Sequence, residues 1–149
     1  MADVVDVLVA QHALVEDLFR ETVGATGEAR RQTFDELVRV LALHEAAEQE
    51  VVHPLARAHL DSPAVVDGRL QEESLATQLV AELVQLGPDA EEFDVALLEL
   101  RAAVLTHARH EERYEFPWLR HTVPAEELVS LVAAVRAVEG ITAGPATTT

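Results

Sequence analysis

A chain of 149 residues that is 49% apolar yet holds one Tyr, one Trp and four Phe must build its core mainly from Val, Leu and Ala, which favours helices packed on helices. Eleven Arg, no Lys and 27 Asp and Glu leave a net charge of -16, which argues against nucleic acid or an anionic membrane as a partner and is consistent with cation binding. There is no cysteine, so disulfides and thiolate metal sites are excluded, no apolar run reaches bilayer length, and the acidic start MADVVDVLVAQH is unlike a secretory signal, so a cytoplasmic location is expected.

The first helix is expected from residue 3 to about 22, where Val5, Leu8, Val9, Val15 and Phe19 recur at the spacing of a core-facing stripe with His12 inside it. GATGEA, residues 24–29, reads as a loop, and a second helix follows from about 30 to 53 with the stripe Phe34, Leu37, Val40, His44, Glu48, Val51 and Leu55. Pro54 has no N–H and disfavours helix at His53, so the second helix should end or kink there. Residues 61–68, DSPAVVDG, contain the next turn, and a third helix runs from about 65 or 69 to 86 with Leu70, Ala76, Leu79, Val80, Leu83 and Leu86 inward. LGPDAEE supplies a break with Pro88 and Asp89 in the first turn of a fourth helix. That helix carries Phe93, Leu97, Leu100, Val104, His107, Glu111 and Tyr114 on one face and should end near Pro117. A short fifth helix, AEELVSLVAAVRAVE, starts at Pro124, packs outside the bundle and ends at Gly140, and the tail ITAGPATTT is expected to be disordered. The pattern predicts an all-α, antiparallel up-down-up-down four-helix bundle over residues 1–121, an accessory helix over 122–140 and a tail over 141–149.

One segment occurs twice: LALHEAAEQEVVHPL at 41–55 returns as VLTHARHEERYEFPW at 104–118, aligning His44, Glu48 and Pro54 with His107, Glu111 and Pro117. Positions four apart share a helix face, so each copy points an imidazole and a carboxylate the same way. Burying carboxylates in an apolar core without partners is costly, so His12, His44, Glu48, His107 and Glu111 on core stripes call for divalent or trivalent cations. Imidazole with carboxylate suits iron, manganese or zinc, and bridging carboxylates favour two ions over one. A single core His is more often a packing residue; the repetition is what points to metal. His53 falls opposite His44 on its helix, His59 and His121 fall in expected loops, and His110 lies one face away from His107, so these four read as solvated or packing residues. Glu45 and Glu16 could reach the site only from its edge.

His12, the two His and Glu pairs, and the proline after each pair resemble the bacterial hemerythrin-like (HHE cation-binding) domain family over about residues 4–120. The resemblance implies an antiparallel four-helix bundle around a non-haem di-iron centre, two Fe ions with an oxo or hydroxo bridge, in which Glu48 and Glu111 bridge and the His residues cap. Members variously bind oxygen, decompose peroxide, sense oxygen or iron, or handle nitric oxide. The family places a metal-binding His near the start of helix three, and this chain has none there. Setting LVAEL, residues 79–83, against the family's leucine pattern puts Glu73 at that position, while helix geometry puts Glu72 nearer the middle of the stripe. Glu73 is the first choice and Glu72 the alternative; if neither binds, the site has an open position or holds one ion. A carboxylate there makes the site harder and more negative, which stabilises ferric iron and favours oxidase, peroxide-consuming or ferroxidase-like chemistry over reversible oxygen carriage. Tyr114, two turns after His107, reads as a core phenol or, more sharply, as a donor behind the ligands or an iron ligand, and Trp118 as a cap on the bundle end.

The leading expectation is therefore a di-iron protein reacting with peroxide or oxygen, catalase-like or oxidase-like, with ligands His12, His44, Glu48, Glu73, His107 and Glu111. A second reading is a module that binds oxygen or senses oxygen, iron or redox state without turnover. A third is a metal-free bundle whose acidic face mediates association.

Overall fold

The computed structural model describes residues 1–59 and 63–143, and every regular element among them is a helix. Helix α1 (Val4–Gly24) turns through two residues into α2 (Gly27–Ala47), which passes through a π-turn (Glu48–Val52) directly into α3 (His53–His59). Helix α4 (Pro63–Leu86) leads to α5 (Phe93–His110), which passes through a second π-turn (Glu111–Glu115) into α6 (Phe116–Thr122). Helix α7 (Ala125–Ala143) packs against α1 and α2. The two hairpins, α1 with α2 and α4 with α5, make the bundle, and α1 also packs on α5.

Local chemistry sets the ends. Asp3 caps α1 by accepting from the Asp6 N–H at 2.9 Å while the Asp6 carboxylate accepts from the Asp3 N–H at 3.0 Å. Arg120 of α6 reaches both carboxylates, at 3.0 and 2.7 Å, and ties the start of the bundle to its last turn. Gly27, at φ +58°, takes the left-handed conformation that so short a link between α1 and α2 requires. Gly87, at φ +80°, closes α4 by donating to the Leu83 carbonyl at 2.9 Å.

The core forms two apolar layers. One contains Val4, Leu8, Ala47, Val52, Ala56, Val66, Phe116 and Leu119 with Leu128 and Val135 of α7. The other contains Val15, Phe19, Phe34, Leu37, Leu83, Phe93, Leu97 and Leu100, with Phe34 edge-on to Phe93 at 5.1 Å. On each bundle helix the chain leaves one layer and enters the other across a polar step: His12 on α1, His44 on α2, Glu73 on α4, His107 on α5. Ionisable side chains from four helices therefore meet at one depth.

Several boundaries differ from the expectation. Neither Pro54 nor Pro117 stops its helix; the chain continues to His59 and Thr122, which puts His59 and His121 on helices and not in loops. Helix α4 is already formed at Pro63, so the turn expected over residues 61–68 does not extend past that point, and residues 60–62 lie outside the described residues. Helix α5 begins only at Phe93, with Pro88 and Asp89 in the preceding turn. Helix α7 is 19 residues long and runs through Gly140, whose φ stays negative, instead of ending there; it packs on the outside of the bundle against α1 and α2 and buries Leu128 and Val135. The tail expectation is overtaken to Ala143 by this helix, and residues 144–149 lie outside the described residues. Of the expected core positions, Val9 and Leu86 face solvent, and Trp118 lies half-exposed beside His121. No helix among the described residues is long and apolar enough to cross a membrane.

Candidate metal centre

The two π-turns decide which side chains reach the polar layer. The His53 N–H bonds to the Glu48 carbonyl and the Phe116 N–H to the Glu111 carbonyl, five residues back in each case. The prolines that follow account for both. A proline ring in a regular helix collides with the carbonyl four residues earlier, and the wider turn moves that carbonyl aside. The additional residue sets everything beyond it back by about 100°. His53, about 180° from His44 in a regular helix, comes to about 80° and enters the interior, where it is 2% exposed. Glu115 swings to within about 20° of His107 and is fully buried. Tyr114 is turned about 120° away and is 55% exposed, beside His110 and Arg113.

Two donor groups result. Ligand atoms of His12, His44, Glu48 and Glu111 lie within 4.8 Å of one another, and so do those of Glu48, His53 and Glu73. Glu48 belongs to both. His12 Nε2 lies 3.1 Å from His44 Nε2 and 3.3 Å from Glu111 Oε1, and His44 Nε2 touches Glu48 Oε1. His107 Nε2 sits between the groups, 3.2 Å from Glu48 Oε2, 3.2 Å from Glu111 Oε1 and 3.6 Å from Glu73 Oε1. Behind three of the rings an acceptor faces the outer nitrogen: Gln11 Oε1 at 2.7 Å from His44 Nδ1, Glu72 Oε1 at 3.1 Å from His107 Nδ1, and Glu115 Oε1 at 3.3 Å from His53 Nδ1. Glu112 lies 3.6 Å from His12 Nδ1, beyond a hydrogen bond. Imidazoles that donate outward through Nδ1–H keep their Nε2 lone pairs free to point inward, the tautomer a metal needs.

The charge balance also calls for cations. Glu48, Glu111 and Glu115 are fully buried and Glu73 is 4% exposed. Burial disfavours charged imidazoles, but the Glu111 and Glu48 carboxylates beside them outweigh it, pushing His12 up to about 9 and His107 to about 12. Burial likewise opposes charge on His53, and Glu115 and Glu73 overcome it to push that ring up to about 10. Burial raises the Glu73 carboxyl to about 8, with His53 pulling against it and Glu48 adding to it. Burial and then Glu48 raise Glu111, whereas Glu48 itself, despite burial, is held well below the usual carboxylate range by His44, His107 and His12. Glu48 Oε1, Glu73 Oε2 and both Glu111 oxygens are buried without a hydrogen bond, although imidazole nitrogens stand close by. Leaving such an acceptor unsatisfied costs about 1–3 kcal/mol. These lone pairs converge with the imidazole nitrogens on shared points, as donors around a cation do, so the residues present fit a borderline-hard metal.

Residues 3–130 match the hemerythrin HHE cation-binding domain family. The chain belongs to this family. Cation binding follows from that membership. In three dimensions the HHE domain is similar to the crystal structure of a hemerythrin HHE cation binding domain-containing protein from Mycobacterium kansasii, with a TM-score of 0.85 at 20% identity, over 96% of this chain and 88% of that one. In sequence it is 28% identical over 126 residues to a DNA nickase of Nostoc sp., covering 82% of this chain and 35% of the relative, so it spans about a third of that protein's length.

The remaining HHE-domain residues sort by geometry. Glu73 faces the cluster, whereas Glu72 is half-buried behind it, holding His107, Arg69 and His110. His110 therefore belongs to the network that supports His107 and is not merely solvated or packing. Glu45 accepts from Gln49 at 3.0 Å and from Thr77 at 2.9 Å, at the edge of a cavity of about 60 Å³. Val15, Leu41, Val80 and Val104 give that cavity apolar walls between α1, α2, α4 and α5. Glu16 is half-buried and in neither donor group. Because Tyr114 points to solvent, changing Tyr114→Phe is expected to leave the visible spectrum of the iron-loaded protein unchanged; loss of a phenolate band would show that the ring turns inward.

Proposed function

We propose that this HHE domain holds two iron ions in the buried His and Glu layer and reacts there with peroxide or oxygen, in a catalase-like or oxidase-like manner. The observation that carries the reading is the single carboxylate common to both donor groups, Glu48, set beside an apolar cavity. His12, His44 and Glu111 complete one group with Glu48; Glu73 faces the other, and His107 stands between them. Two adjacent redox-active ions exchange two electrons, the difference between peroxide and either water or oxygen. The side chains supply the rest. Val15, Val80 and Val104 exclude bulk water and admit a small neutral molecule.

Iron analysis with oxygen evolution from peroxide tests this reading. Two irons per chain, and one oxygen released for every two peroxides consumed, are the expected result. A fully loaded protein that leaves peroxide and oxygen untouched would refute it. That outcome favours the second reading, a binding or sensing module, which draws on the Nostoc relative, where a domain of this kind accounts for 35% of a longer chain. The relative's activity on DNA is not carried over, because a net charge of -16 offers a phosphate backbone no counter-charge.

A further inference from the structure

The histidine missing from α4 is replaced from α3. We propose that His53, presented by the first π-turn and held from behind by Glu115, is the imidazole ligand of the second cation, standing in for the helix-three histidine. This rests on the two-cation reading above and names the residue that completes it.

The internal repeat makes the case. The alignment that pairs His44 with His107 and Glu48 with Glu111 also pairs Val52 with Glu115 and His53 with Phe116. In one half, α1 brings His12 to the layer, and Phe116 lies flat against its ring, with centroids 5.8 Å apart and planes 14° from parallel. In the other half, α4 brings Glu73, and the position equivalent to Phe116 carries His53, whose Nε2 lies 2.9 Å from Glu73 Oε1. The imidazole has changed places. One corner has it on the long helix, backed by a phenyl ring, and the other has it just beyond the π-turn, facing a carboxylate.

The residues behind follow the same exchange. Phe116 and Val52 share an apolar layer, and both are buried. Their counterparts, His53 and Glu115, form a buried polar pair at 3.3 Å. Substituting a buried imidazole and carboxylate for a phenyl and an isopropyl group does not in general stabilise a fold. The pair makes chemical sense as a carboxylate that orients a ligand ring: Glu115 faces Nδ1, and Nε2 faces Glu73 and Glu48, the latter at 3.8 Å. The Glu48, His53 and Glu73 donor group then has the imidazole that α4 does not supply.

Titration of the metal-free full chain with Co2+, followed by calorimetry and visible absorption, tests the assignment. The wild type is expected to bind two Co2+. His53→Gln, whose amide can still donate to Glu73, should keep the first ion at wild-type affinity and weaken the second at least about 100-fold, beyond the usual loss from an outer partner. Glu115→Gln should keep both and weaken only the second, by roughly 10–100-fold. Moving the imidazole back, with His53→Phe and Glu73→His together, should restore a second ion; a folded double variant that binds only one would overturn the equivalence of the two corners. Two ions at wild-type affinity in His53→Gln would overturn the ligand role, and so would loss of both, which would make His53 a structural residue. A wild type that takes up fewer than two would instead overturn the two-cation reading itself.

Discussion

Glu48→Gln is expected to abolish binding of both cations, whereas Glu73→Gln should cost only one. The difference follows from position. Glu48 is the one residue common to the two donor groups, and its two oxygens are directed to different partners, Oε1 toward His44 and Oε2 toward His107. An amide in its place keeps the volume but offers one weak oxygen donor and a nitrogen that carries protons. It also removes one of the two carboxylates of the four-residue group, leaving Glu111 alone beside His12 and His44, and takes away the charge that faces the His12 and His107 rings. Glu73 contributes to the second group alone. Metal content after gel filtration gives the measurement, with two ions expected for the wild type, one for Glu73→Gln and none for Glu48→Gln. One full equivalent retained by Glu48→Gln would mean that the groups do not share a carboxylate, and the case for a coupled pair of ions would go with it.

The parts of the site on α1, α2 and α5 before the π-turns are legible by counting residues, because at about 100° per residue His44 and Glu48, and His107 and Glu111, must share a face. Counting fails beyond Glu48 and Glu111. One additional residue in each π-turn brings His53 and Glu115 inside and turns Tyr114 out, reversing the expected side for His53 and Tyr114. The signal was visible in Pro54 and Pro117, which occur at the same distance from each His. Pro54 reads as a helix end or kink and Pro117 as a helix end because a proline removes a hydrogen bond, yet a widened turn removes the clash without ending the helix. Core stripes from Phe34 to Val40 and from Phe93 to Val104 needed no such correction.

His53 also alters the chemical expectation. With Glu73 in place of a helix-three imidazole, three His and three Glu gave a site rich in carboxylate; counting His53 raises the imidazoles to four. On the proposed reading, the expected preference for ferric iron would depend on Glu73 at one corner and not on a shortage of nitrogen donors. That would place the tuning of the proposed reactivity on the side of the cavity lined by α4, where Glu73, Ala76 and Val80 line the same space.

Stripping the cations with a chelator should lower the melting temperature, and the gap between loaded and stripped protein should widen as pH rises from 6.5 to 9. In the stripped protein, His12, His53 and His107, raised to about 9, 10 and 12 from an ordinary 6.5, hold protons that the unfolded chain has released. Their stabilising effect is complete below pH 6.5 and is lost as pH climbs through the folded values. Glu73, raised from 4.5 to about 8, acts with the same sign over a lower window. Glu48 has the opposite sign, but its contribution is already complete above 4.5 and is lost only in acid. Stripped stability therefore falls across the chosen range. In the loaded protein the imidazoles are neutral and the carboxylates ionised, so binding releases protons and tightens with pH. Each ion at about 100 times its dissociation constant adds about 2.7 kcal/mol. For a domain of this size each kcal/mol shifts the midpoint by about 2–4 °C. Melting curves of preloaded and chelated protein at the two pH values measure the gap directly. A constant or narrowing gap would show that protons and cations do not compete for these side chains, and the imidazoles would then be structural groups and not ligands.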